Sequence, residues 1–127
     1  MPGCYKIDKD RKLVMTTGYG VVTREDMLDH QRKLLADPDF DPTYSQLADF
    51  VHMANSKITA EDVRRVAETD VFAPNAKRAI IVPNDFTYGF ARMFEEYREA
   101  KGETGIRVFR ELTDGLEWIF SGQTTSE

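Results

Sequence analysis

The run Ala79-Ile80-Ile81-Val82 is apolar at every position and is closed by Pro83. Successive side chains on a strand point to opposite faces, so a strand with no polar member is buried on both of them. Two-sided burial requires a covering layer on each face, and helices that connect parallel strands supply such layers. The run therefore predicts an α/β chain with residues 79–82 as a central strand. With 127 residues the chain has the length of one compact domain, 1–127.

The rest of the chain supplies the neighbours. Tyr5 and Ile7 alternate with Lys6 and Asp8, Lys9-Asp10-Arg11 forms a polar turn, and Leu13-Val14-Met15-Thr16-Thr17 follows, the pattern of a β-hairpin. Gly18 and Gly20 flank Tyr19 and predict a bend or bulge late in the second strand. Thr23-Arg24-Glu25-Asp26 reads as a capping box opening a helix to about Ala36, with Met27, Leu28, Leu34 and Leu35 on one face, Gln31 among them and His30 at the edge. Pro38 and Pro42 keep residues 37–42 in a loop. Residues 46–53 read as a strand and Thr59-Ala60-Glu61-Asp62 as a second capping box. The longest helix is predicted over 85–100, with Phe86, Phe90, Met93, Phe94 and Tyr97 inward and Gly102 at its end. A strand at 106–109 and a helix at 112–120 complete the order β-β-α-β-α-β-α-β-α, and residues 121–127 form a small polar tail expected to fray. This order predicts a single-domain, mostly parallel five-stranded mixed sheet with an antiparallel N-terminal hairpin and about four helices.

Charge and composition narrow the function. Seventeen basic residues against 22 acidic ones give a net charge of −5, which opposes nucleic acid as the main partner. No apolar run approaches the roughly 20 residues of a membrane helix, and the chain reads as cytoplasmic. One cysteine, Cys4, and two histidines supply neither a disulfide nor a zinc cluster, and no cofactor is expected.

Several segments carry a resemblance: Gly18-Tyr19-Gly20-Val21-Val22-Thr23, the stretch from Leu35 to Pro42, the strand Gln46-Leu47-Ala48-Asp49-Phe50, the run Tyr88-Gly89-Phe90-Ala91-Arg92-Met93-Phe94, and Val108-Phe109-Arg110. Together they resemble small uncharacterised bacterial proteins of the STAS/CRAL-TRIO-like superfamily, whose fold is that of the anti-sigma-factor antagonists. The resemblance implies β/α units wound as a superhelix and a regulatory role through protein binding. In such antagonists a phosphorylatable serine follows an aspartate in the loop after a central strand. Ser56 is the matching candidate here, with Asn55 in the aspartate's place and Glu61 and Asp62, which would repel a phosphate, opening the next helix.

Other candidates are weighed by surroundings. Asp29 and His30 are adjacent on a helix and point about 100° apart, so His30 reads as a surface histidine. His52 ends a strand without a serine or cysteine nucleophile paired to it and reads as structural, Cys4 as inert, and Gly18-Tyr19-Gly20 as a bend and not a phosphate loop. Tyr88, Arg92 and Trp118 fall out of phase with the apolar stripes and belong to the residue types that dominate interfaces, so they form the candidate interaction surface, for a partner protein or for a dimer. No catalytic constellation stands out. The expected function is a non-enzymatic regulatory or protein-interaction module, and the alternative is a small-molecule or lipid-binding protein. A filled interior favours the first and a cavity the second.

Overall fold

The protein is described by a computed structural model covering residues 3–54 and 58–121. Five strands, β1 (Gly3–Asp8), β2 (Leu13–Gly20), β3 (Ser45–Met53), β4 (Arg78–Ile81) and β5 (Ile106–Phe109), form one sheet in that spatial order. β1 is antiparallel to β2, and every later pairing is parallel. The helices are α1 (Arg24–Ala36), α2 (Ala60–Glu68), α3 (Asp85–Ala100) and α4 (Leu112–Phe120). The mixed five-stranded α/β architecture expected from the chain pattern is thus present. The middle strand is β3, and residues 79–81 of the apolar run lie in its neighbour β4, which opens on the charged Arg78 and is buried at all four positions, with Val82 buried just beyond its end.

Topology decides which face each helix covers. When strands follow one another across a sheet in sequence order, right-handed crossovers place the connecting helices on the same side. Ala91 of α3 accordingly packs on Ala48, Ile80, Val82 and Ile106, while Leu34 of α1 packs with Val14, Phe72 and Ala76. The opposite face carries Leu13, Leu47, Ala79 and Ile81 and is covered by Ile119 and Leu116 of α4. Adjacent residues Ile80 and Ile81 therefore lie in different cores.

Local sequence sets the element ends. Thr23 and Thr59 each accept from the backbone N–H three residues on, and Asp26 and Asp62 accept in return from the cap N–H groups. The predicted irregularity in β2 is a register shift between Thr17 and Tyr19. A side chain at Gly18 would stand 2.6 Å from the Phe50 ring, so the glycine is what lets that ring lie across the sheet. Gly102 ends α3 with φ +96°, the left-handed conformation in which glycine is unpenalised.

Two helix faces differ from expectation. On α3 the buried residues are Thr87, Ala91, Glu95 and Arg98, and Phe86 is 51% exposed. The aromatic stripe is turned because the small Ala91 faces the sheet and Arg98 is drawn in by a buried carboxylate, Glu103. On α1, Gln31 and Leu34 are buried while Leu35 is 65% exposed, because Gln31 donates to the Val66 carbonyl of α2 at 3.0 Å and so fixes the inward face.

Candidate functional site

The helix-covered face formed by α1, α2 and α3 is polar at one end and apolar at the other. Register places Gln46 beside Arg78 at the N-terminal ends of β3 and β4, Ala48 beside Thr16 and Ile80 in the next row, and Phe50 and Val82 beyond. At the polar end Arg78 donates to Gln46 Oε1 at 3.1 Å, to Glu103 at 2.9 Å and to both oxygens of Asp70. Its guanidinium also stacks 4.3 Å from the Phe72 ring centre. Arg98 closes the cluster, donating to Glu103 at 2.6 Å and to the Ala67 carbonyl at 2.6 Å. Two arginines thus balance two carboxylates inside the protein, which is how buried charge is tolerated.

From this cluster a hydrogen-bonded chain continues along the sheet. The Gln46 amide donates to Thr16 Oγ1 at 3.0 Å, and Thr16 Oγ1 meets His30 Nε2 at 3.1 Å. His30, expected at the surface, is partly buried with its ring 5.4 Å from that of Tyr5. Burial, with Arg78 and Lys33 nearby, outweighs the attraction of Asp70 and Asp29 and lowers its pKa to about 4, so the imidazole is neutral at pH 7. Tyr5 donates to Asp37 at 2.7 Å, and burial and the carboxylate raise its pKa to about 12.

Above this floor lies a cavity of about 420 Å³ between the sheet and the three helices. Thr16, His30, Gln46 and Arg78 are among its polar lining, and Val22, Phe50, Val82, Phe86, Phe90 and Phe94 among its apolar walls. Volumes of about 300–1,000 Å³ with mostly apolar walls and a few placed polar groups are those of small-molecule sites.

The residues singled out from sequence lie elsewhere. Tyr88 is exposed on α3 under the Arg110 guanidinium, 5.1 Å away, and Arg92 pairs with Glu95 at 2.8 Å. Trp118 sits on α4 across the sheet, half-buried against Phe109 with Lys77 and Arg107 over its ring. The structure does not bring the three together: α3 and α4 cover opposite faces of the sheet, and Trp118 is drawn inward by Phe109. His52 is exposed at the end of β3 and Cys4 is exposed on β1. Ser56 and residues 122–127 lie outside the described residues, as does most of the loop from 54 to 58. Among the described residues no group of three His, Cys, Asp or Glu could hold a metal, and no helix is long and apolar enough to cross a membrane.

An uncharacterized protein from Shewanella loihica PV-4, of the DUF3478 family and with a SpoIIAA-like fold, superimposes with a TM-score of 0.58 over 92% of this chain and 91% of its own. The chain has a SpoIIAA-like, STAS-like fold. At 16% identity the SpoIIAA-like likeness establishes architecture and carries no activity with it. No family model and no curated protein matches the sequence.

Proposed function

We propose that the protein binds a small, largely apolar molecule in the cavity between its sheet and α1–α3, without transforming it. The cavity carries this reading. At about 420 Å³, lined by Phe50, Phe90 and Phe94 and opening to solvent, it has the size and the mostly apolar walls of a small-molecule site. The binding side of the STAS/CRAL-TRIO-like resemblance points the same way. The regulatory, protein-interaction reading rests on the fold likeness and on Tyr88, Arg92 and Trp118, which occupy separate surfaces. Binding without turnover is supported by the lining carboxylates, each already engaged: Asp26 by the Thr23 cap, Asp29 by Lys33 and Asp70 by Arg78.

Fluorescence of the uncharged dye Nile red tests the proposal. The expected result is saturable enhancement at one dye per chain, lost in Ala48→Phe, which fills the cavity from β3, and kept in Tyr88→Ala. Equal enhancement by a cooperatively melting Ala48→Phe protein would overturn it.

A further inference from the structure

We infer that the ligand of this cavity is an uncharged amphiphile: an apolar body that ends in a single hydrogen-bond acceptor, such as a hydroxyl, carbonyl or ether oxygen, held at the Thr16–His30 pair. The inference rests on the cavity-binding proposal and specifies its ligand class.

The cations that line the cavity are Arg78 and Lys33, apart from the neutral His30. Arg78 is charge-paired with Asp70 and Glu103 and also donates to Gln46, and Lys33 is paired to Asp29 at 3.1 Å. A carboxylate or phosphate head entering here would leave water and find no unengaged cation, and a lining anion is equally unavailable to an ammonium head. Burying an unpaired charge is far more costly than burying a hydrogen-bonded neutral group.

Thr16 Oγ1 accepts from the Gln46 amide and shares one proton with His30 Nε2. If the hydroxyl donates, the neutral imidazole carries its proton on Nδ1, and that N–H has no partner among the described residues. If Nε2–H donates instead, the hydroxyl proton is the one left over. Either tautomer leaves one donor of the Thr16–His30 pair unused, the imidazole Nδ1–H or the hydroxyl proton, and both residues line a cavity whose walls are mostly apolar. A neutral acceptor satisfies that donor, while the aromatic walls of Phe50 and Phe90 take the apolar body.

Isothermal titration with ligands of one chain length decides the matter: 1-octanol, octanoate, octylammonium and n-octane at pH 7.5. The expected result is that octanol binds at least tenfold more tightly than either ion and several-fold more tightly than octane. Thr16→Val should remove the advantage over octane while leaving octane binding unchanged, and the comparison among ligands on the unaltered protein stands even if that variant misfolds. Octanoate or octylammonium binding as tightly as octanol, or octane matching it, would overturn the inference and leave the cavity proposal intact. Failure of all four to bind would overturn both.

Discussion

At the residue scale the protein depends on charges that are buried and closed upon themselves. Removing one member of such a cluster strands its partners in a medium that solvates them poorly, at about 3–5 kcal/mol. Arg78→Met leaves Asp70 and Glu103 to share Arg98, and urea denaturation should show a loss of that size. Adding Glu103→Gln restores neutrality and should recover a large part of it; no recovery would mean that Arg78 acts by packing on Phe72. His30 predicts a pH dependence. Its folded pKa of about 4 lies below the ordinary value near 6.5, so the unfolded chain binds the proton more readily. Its contribution is complete above pH 6.5 and falls as pH drops from 6.5 toward 4, by about 2 kcal/mol at pH 5. Melting at pH 7 and pH 5 should therefore separate the wild type from His30→Gln, the variant losing less; identical losses would show that His30 is not the buried, neutral group. His30 was legible only as an edge residue of α1, since its burial depends on Tyr5 and Thr16 from strands that sequence spacing does not bring near it. Arg78 and Glu103 gave still less signal: a charged residue before an apolar run reads as the solvated end of a strand until its counter-ions, 8 and 25 positions away, are in place.

At the element scale, local rules dominate the boundaries and tertiary contacts the facing. Both capping boxes, the glycine-bulged strand and the glycine that ends α3 follow from short-range chemistry, and all were readable from a few residues. The phase of α3 was not, because three phenylalanines outrank Ala91 and Arg98 on any hydropathy count, yet the sheet accepts the small residue and the ion cluster accepts the arginine. A cavity follows from that rotation, since Phe86 and Phe90 stand along its wall instead of filling the core. Strand β5 shows how closely elements are fitted at the other edge. A Cβ at Gly105 would lie 2.0 Å from the Ala76 carbonyl oxygen, where the Gly105 carbonyl accepts from Arg78 N–H. Gly105→Ala should then destabilise by about 1–3 kcal/mol, the usual result of overpacking, although alanine is ordinarily the better choice in regular structure. Unchanged stability in a denaturant melt would show that the 74–76 loop yields freely.

At the scale of the whole molecule, the sequential strand order is the origin of the site. It gathers three helices on one face and leaves α4 alone on the other, and the three-helix side holds the cavity. That five-stranded pattern was visible in the alternation of elements, whereas a cavity is the difference between the space elements enclose and the side chains that fill it, which no local pattern records. Ligand binding in this space must register on one face of the sheet and not on the other. Methyl NMR of the full chain during titration with 1-octanol addresses it most directly, because β4 offers neighbouring reporters on the two faces. Saturable shifts are expected at Ile80, Val82 and Ala91, with Ile81, Ala79 and Leu47 nearly unmoved. Shifts of equal size at Ile80 and Ile81, or none at either while the ligand is in excess, would contradict binding in the cavity.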